Sequence, residues 1–396
     1  MRSHDAPEAT LRAPIRRSPE VHSQLTNIAA FSVLALLLVR FAYPAIVWAL
    51  GRVIRRARVS TTQGMPRVSV IIASRDDADA VQQRVRDALR AEYPSELLEV
   101  VVARDAAHEY RDSIAVPEAA KRLTVVMGDA PGGKGCALNA AVRASSGDVL
   151  VFTDTAQRFA SDAIAKLIDA LGDTRLGAVS GALRIGGDAK ARSIAELYWR
   201  FERWLRRAEA DVHSTVGVTG AIYAMRRSLW RPLRDGVLCD DLYIPMDLVL
   251  RGYRIGFCAD AEAIDERRFA APQEYARKVR TLTGVLQVCV WLPAVLVPFR
   301  NPIWAQFVCH KLLRLLTPYL VLVAFASAAL AAALAVAQRA GAGATLLVIA
   351  ALGVPLLLWA ISRRARSALA MGVAMQAAVV RATWHGLRGE WDVWRR

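Results

Sequence analysis

The stretch from Gly132 to Phe159, GGKGCALNAAVRASSGDVLVFTDTAQRF, restricts the fold of this chain more than any other segment. A glycine-rich turn leads through Lys134 into a short helix, and Val149-Leu150-Val151-Phe152 then reads as a buried strand ending on Thr153-Asp154. A cation opening a helix and a carboxylate closing a strand fall at one edge of an open α/β sheet, where such folds take their ligands. Lys134 suits phosphate oxygens, and Asp154 suits a divalent metal bridging them.

The same rhythm extends over residues 67–265. Val68–Ala73 reads as a buried strand, and residues 76–92 follow as a helix with Val81, Val85, Ala88 and Leu89 on one face. Leu98–Val102, Leu123–Met127 and Asp148–Thr153 supply three more strands. Alternation of this kind predicts an α/β fold with a mostly parallel sheet covered by helices.

The flanks are of another kind. The 396 residues are 54% hydrophobic yet carry a net charge of +16, a combination that points to a membrane protein with a basic cytoplasmic face. A nucleic-acid binder would interleave its cations with aromatics on a soluble module, and no such module accompanies the charge here. Residues 1–24 read as a disordered tail and 25–50 as a membrane anchor, interrupted by Arg40 and Pro44 and long enough to cross about 30 Å of hydrocarbon. The run is too long for a cleaved signal peptide and lacks a small-residue cleavage site after it. Arg52, Arg55, Arg56 and Arg58 follow it, which predicts a cytoplasmic domain and an outside N-terminus.

Towards the other end, 273–312 reads as interfacial, with Val288–Phe299 too short and proline-broken to span. Residues 315–337 and 344–361 are long enough to cross, and Arg363, Arg364 and Arg366 return the chain to the cytoplasm. Residues 367–387 form a third span or an interfacial helix, and 388–396 a basic tail. The helix at 193–212 places Ile194, Leu197, Tyr198, Phe201 and Leu205 on one face among tryptophans and arginines. It could pack on the sheet or lie on a membrane surface. The five cysteines, without CxxC spacing, suggest neither a zinc site nor a disulfide framework.

Gly-Asp-Ala-Pro-Gly-Gly-Lys at 128–134 approaches a phosphate-binding P-loop, but Gly135 stands where a magnesium-holding Ser or Thr belongs, which argues against an ATPase or an ATP-driven transporter. Lys134-Gly135-Cys136-Ala137-Leu138-Asn139 followed by a strand and Asp154 instead resembles the donor site of the family 2 glycosyltransferases. Five motifs of that family occur in order over residues 66–320. The resemblance implies a GT-A domain at 66–272, a nucleotide-sugar donor and Mg2+ or Mn2+ held at Asp154. The family's second metal-binding acid is absent, since Asp154 is followed by Thr155-Ala156.

By the same resemblance, Ala73, Asp76 and Asp105 contact the nucleoside, and Lys134, Arg277 and Arg280 the diphosphate. Thr219-Gly220-Ala221 borders the acceptor. In LCDDLYIPMDLVLRGYR, Asp240-Asp241 matches the catalytic acid pair, with Asp241 the general base. The same pair could also only cap the helix it opens. Processive polymerases carry Gln-x-x-Arg-Trp where this chain has Arg277, Arg280 and Thr281, so only the arginine is retained.

The expected protein is a multi-pass enzyme of the bacterial inner membrane, its catalytic domain cytoplasmic. It would use a UDP-sugar by default and a glycan acceptor in exopolysaccharide synthesis, among membrane lipids, with partner subunits for export and without nucleic acid. Single addition to a polyprenyl-phosphate or lipid-linked acceptor is the alternative. A family member that only binds nucleotide or a partner is another.

Overall fold

A computed structural model describes residues 19–54, 64–110, 112–186, 194–267, 271–337 and 363–392. The chain divides into two compact units, one of residues 1–38 and 317–372, the other of 39–316 and 373–396.

The larger unit is built on one sheet. β1 (Val68–Ser74), β2 (Leu98–Arg104), β3 (Leu123–Met127) and β4 (Val149–Thr153) pair in parallel, with Val70 opposite both Val100 and Val151. β1, β2 and β4 read as continuous apolar runs because helices cover both faces of the sheet. On one face, α3 (Ala78–Leu89) buries Val81, Val85 and Ala88; on the other, α4 (Lys134–Ala144) buries Ala137, Leu138 and Ala141.

Beyond β4 the sheet becomes mixed. β5 (Arg158–Phe159), α5 (Ala163–Leu171), β6 (Leu176–Ile185), α6 (Ile194–Val212), β7 (Tyr223–Arg226), α7 (Asp240–Leu250) and β8 (Arg254–Asp265) follow in the chain. The strand order is β3-β2-β1-β4-β7-β6-β8-β5, with β7 antiparallel to β4 and β6, and β5 antiparallel to β8. The chain runs outwards from β1 to β3 and then returns to β4 on the other side of β1. The crevice past the ends of β1 and β4 is therefore the switch point of the sheet.

Several elements differ from the sequence expectations. The helix begins at Pro19, so residues 19–24 belong to α1 (Pro19–Leu37) and not to a tail. Pro19 presets the first helical turn and Glu20 complements its dipole. A π-helical turn, Leu38–Ala42, then leads into α2 (Tyr43–Ile54). The continuous apolar helix Glu20–Ile54 has 35 residues. At about 1.5 Å per residue it exceeds what a single crossing needs. Its last part packs on α6, where the Tyr43 hydroxyl donates to Glu209 Oε1 at 2.6 Å.

α6 packs against the domain with one face and leaves apolar side chains exposed on another. Glu202, Leu205, Ala208 and Glu209 are buried inwards, whereas Leu197 is 67% and Trp204 38% exposed. In α8 (Ala271–Trp291) and the short turn after it, Val288 and Val295 join the domain core while Val290, Val297 and Phe299 face outwards. This segment is thus part of the domain, with one apolar edge left open. It continues through α9 (Trp304–Phe307), a π-helical turn at Val308–Leu312 and α10 (Leu313–Leu315).

In the smaller unit, α11 (Thr317–Ala337) packs against α1. Among the described residues, Glu20–Ile54 and Thr317–Ala335 are long and apolar enough to cross a membrane by length and composition. The expected span at 344–361 lies outside the described residues. Residues 367–387 fall within one last helix, Arg363–Arg388.

Candidate active site

The site is assembled at the switch point from the ends of β1 and β4 and the starts of α4 and α7. Ser74 closes β1, and its hydroxyl accepts from Thr155 Oγ1 at 2.8 Å, tying the β1 and β4 ends together. Thr153 Oγ1 donates to Ala221 O at 2.9 Å, so the end of β4 also fixes the loop before β7. Asp154 projects from between these two ties.

α4 reaches the same place through its motif. Asn139 Nδ2 donates to Leu233 O at 2.9 Å while its Oδ1 accepts from Leu233 N at 2.8 Å, clamping the loop that leads to α7. A Cβ on Gly135 would stand 2.8 Å from Val237 Cγ1 in that loop. The residue that departs from the P-loop pattern is therefore a glycine because α4 is pressed against residues 233–237. This packing brings the first turn of α7 to Lys134.

Lys134 Nζ lies 3.0 Å from Asp154 Oδ1 and 3.2 Å from Asp240 Oδ2. Burial opposes its charge, but the carboxylates of Asp154 and Asp240 more than offset this and raise its pKa. Asp240 is held above the usual carboxylate range, first by burial and then by Asp241 and Asp154, with Lys134 pulling the other way. The thiol of Cys239 is pushed well up by burial and by Asp241. Three carboxylates thus gather about one ammonium.

The loop at 216–222 lies against this cluster. Val218 N donates to Asp241 O at 2.9 Å, and a Cβ on Gly220 would stand 3.5 Å from Asp154 Oδ2 and 3.7 Å from Lys134 Nζ. Gly220 therefore leaves open the space beside the free oxygen of Asp154. Thr219 and Ala221 are buried, and Thr219 N donates to Ser180 Oγ at 3.0 Å. Their side chains support the loop, and Gly220 is the part it presents.

The other expected residues sort differently. Ala73 and Asp76 lie at the β1 end, where Asp76 N donates to Ser74 Oγ at 3.0 Å. Asp105 Oδ1 already accepts from Gly133 N at 2.7 Å and Ala107 N at 3.0 Å, so it braces the turn before α4. Arg280 is close enough to act electrostatically on Cys239 beside Asp241. Arg277 lies on the exposed side of α8, its guanidinium forked onto Glu274. The Asp240-Asp241 pair stands in the first turn of α7 without capping it, since the preceding residue is Cys239 and no side-chain cap bond forms.

Three residues were missed. Arg84 is buried beneath β4, stacked at 3.9 Å on Phe159 and 3.3 Å from Thr153 Oγ1, and burial pushes its pKa down to about 10. Its signal was a cation on the apolar face of α3, between Val81 and Val85. Tyr110 bridges the β1 and β2 ends, its hydroxyl donating to Ser74 O at 3.1 Å and accepting from Asp105 N at 2.9 Å. Tyr223 in β7 is fully buried and stacked on Phe152, its hydroxyl has no hydrogen-bond partner among the described residues, and the carboxylates of Asp240, Asp241 and Asp154 add to burial in raising its pKa.

Among the described residues no three His, Cys, Asp or Glu side chains form a ready-made metal site. One open carboxylate oxygen on Asp154, with the space kept by Gly220, does fit a hard divalent cation that takes its remaining ligands from phosphate and water.

Residues 69–232 match the model of glycosyl transferase family 2. The O-antigen chain rhamnosyltransferase RfbN of Salmonella typhimurium is 25% identical over 152 residues, 36% of this chain and 48% of that protein. Glycosyltransferase AglD of Haloferax volcanii is 25% identical over 218 residues, 52% of this chain and 34% of that one. The chain spans about half or less of the length of these curated relatives. In fold it is similar to the mannosyltransferase PcManGT from Pyrobaculum calidifontis, solved with GDP-Man and Mn2+, with a TM-score of 0.67 and 24% identity over 92% of this chain and 99% of that one.

The larger unit thus has an α/β GT-A architecture. More particularly, residues 69–232 within it are similar to glycosyl transferase family 2. The matched region contains Lys134, Asp154 and Gly220 and ends before Asp240-Asp241.

Proposed function

We propose that this protein is an inverting glycosyltransferase that moves a sugar from a nucleotide-diphosphate sugar, a UDP-sugar by default, to a glycan acceptor. Its place would be the cytoplasmic face of a bacterial inner membrane, in exopolysaccharide synthesis. The observation that carries this reading is the convergence of Lys134, Asp154, Asp240 and Gly220 at the switch point of the sheet, with Asp241 beside Asp240 in the first turn of α7. The apolar helices Glu20–Ile54 and Thr317–Ala335 support the membrane location.

In the proposed reaction Asp241 takes the proton of the acceptor hydroxyl, and the oxygen attacks the anomeric carbon in line while its bond to the diphosphate breaks. Asp240 is engaged by Lys134, which leaves the half-exposed Asp241 as the more open carboxylate. Lys134 shifts from its carboxylate partners towards the diphosphate, where it and Arg280 meet the charge that develops on the leaving group. Asp154 would hold Mg2+ or Mn2+ against the donor phosphates, and the ion would neutralise charge on the departing diphosphate. Asp105 and Tyr110 set the wall against which the nucleoside rests.

Single addition to a lipid-linked acceptor is the second reading, favoured by one position. Thr281 in α8 bonds to Arg277 O at 2.9 Å and offers no aromatic platform where processive enzymes carry tryptophan. Incubating the full chain in lipid with UDP- and GDP-sugars, a divalent metal and candidate acceptors, followed by mass spectrometry, tests both. Sugar transfer to glycan or lipid supports the proposal, whereas no transfer and no nucleoside diphosphate release from any donor contradicts it.

A further inference from the structure

A second charged cluster lies outside the candidate active site, where α6, α8 and the π-helical turn at Val308–Leu312 meet. Its centre is His310, fully buried, with Nδ1 2.7 Å from Glu209 Oε1 and Nε2 3.0 Å from Glu202 Oε1. Tyr43 donates to the same Glu209 oxygen. Both ring nitrogens face carboxylate oxygens, so the ring is held between Glu209 and Glu202.

Among the described residues the cations around them are in excess. Arg206 lies 3.4 Å from Glu202 Oε1 and Arg314 3.3 Å from Glu202 Oε2. Lys278 Nζ stands 5.7 Å from the centre of the Tyr198 ring, and Lys311 is within the field of Glu202, Glu209, Arg206 and Arg314. Arg40 reaches the same group beside Tyr198, Glu202 and Arg314. Glu274, the other carboxylate facing Lys278, is already forked by Arg277. Burial, reinforced by Arg314, holds both lysines below their ordinary range. Partly buried cations without counter-charge are costly, and an anion with several oxygens relieves that cost.

We propose that Arg206, Lys278, Lys311 and Arg314 form a binding site for the phosphate group of a membrane amphiphile, an inference that rests on the membrane location proposed above. Two features favour an amphiphile over free phosphate. Arg314 lies just before Thr317, where one apolar helix starts, and Arg40 lies inside the other, so the cluster is joined in the chain to both apolar helices. Apolar side chains next to it in sequence, Phe41 and Leu316, are exposed. Glu202, Arg203 and Arg206 also line a small crevice with Gly181 and Thr219, the neighbour of Gly220. The phosphate would belong either to a bulk phospholipid or to a lipid-linked acceptor.

The test uses the full chain in neutral detergent, with the double variant Lys278→Gln/Lys311→Gln as its comparison. Thermal midpoint and native mass spectrometry are read against a polyprenyl phosphate, phosphatidylglycerol, the phosphate-free polyprenol and inorganic phosphate, with UDP binding measured in the same samples. The wild type should bind a phosphate-bearing lipid, and the variant should bind it more weakly on the order of tenfold. Without lipid the variant should be the more stable, since it has lost uncompensated charge. Preference for polyprenyl phosphate identifies an acceptor site, and equal binding of phosphatidylglycerol a bulk-lipid site. Equal binding by wild type and variant, equal binding of polyprenol, or full occupancy by inorganic phosphate alone would overturn the proposal. If UDP still binds when the lipids do not, this inference fails alone; loss of UDP binding as well would also contradict the proposed function.

Discussion

At the sheet edge, Asp154, Asp240 and Asp241 gather about the Lys134 ammonium, whereas around α6 several cations share the carboxylates of Glu202 and Glu209. Both clusters belong to the larger unit, and each is out of balance in the opposite direction. A protein that only needed to fold would pair such charges evenly or replace them with apolar contacts. Imbalance in a partly buried setting marks a place where a ligand completes the charge. The acidic cluster is short of a cation, as a metal-bearing donor site would be. The basic cluster is short of an anion.

The two clusters also differ in how they are made rigid. The acidic one hangs on backbone contacts, with Asn139 clamping Leu233 and Thr153 holding Ala221, so its side chains can exchange partners without loss of the frame. The basic one is itself the frame, since His310, Glu202, Glu209 and Tyr43 join α2, α6 and the π-helical turn. Substitutions should therefore act on chemistry in the first and on stability in the second.

The largest effect is expected at Asp241. Asp241→Asn should lower transfer by about 10²–10⁴-fold while nucleoside diphosphate binding stays near wild type. Near-normal turnover would remove Asp241 from the base role, and lost binding would place it on the donor or metal.

In the basic cluster, Glu202→Gln should cost about 3–5 kcal/mol of stability in denaturant unfolding, because it leaves buried cations unpaired. Burial opposes the Glu202 charge, but His310 and Arg314 hold its pKa well below the ordinary 4.5. A carboxylate depressed in the folded state contributes fully above its unfolded value and loses that contribution as pH falls through the folded one. The stability gap between wild type and Glu202→Gln should thus be full above pH 4.5 and close on further acidification. A gap that widened in acid would show that Glu202 is not charged in the fold.

Legibility in the sequence follows the same division. β1 to β4 were readable because each is a short apolar run bounded by turns, and Lys134, Asp154 and Asp240-Asp241 because each sits in a local motif. The antiparallel place of β7 between β4 and β6 was not, since only Tyr223–Arg226 is strand and its neighbours come from distant parts of the chain. The basic cluster was invisible for a related reason. Glu202 and His310 are far apart in sequence, and neither carries a local pattern that betrays the pair. Likewise, the apolar run at 25–50 gave no sign that its continuation α2 packs on α6, because the deciding contact is Tyr43 on Glu209.

A smaller effect is expected at Gly220. Its added Cβ would meet Asp154 Oδ2 and Lys134 Nζ at ordinary contact distances of 3.5 and 3.7 Å, so Gly220→Ala should fold normally. It would fill the space beside the open oxygen and weaken donor binding by about tenfold. Unchanged donor affinity would show that the donor phosphates do not enter that space.

Calorimetric titration of the full chain with manganese, with and without UDP, bears most directly on the claim that the acidic cluster is a donor-phosphate site. Asp154 offers Oδ2 in the space beside Gly220, and Lys134 already sits between Asp154 and Asp240. Manganese should bind measurably only when UDP is present, and Asp154→Asn should abolish that binding. Tight manganese binding without UDP, or no dependence on Asp154 with it, would contradict the account.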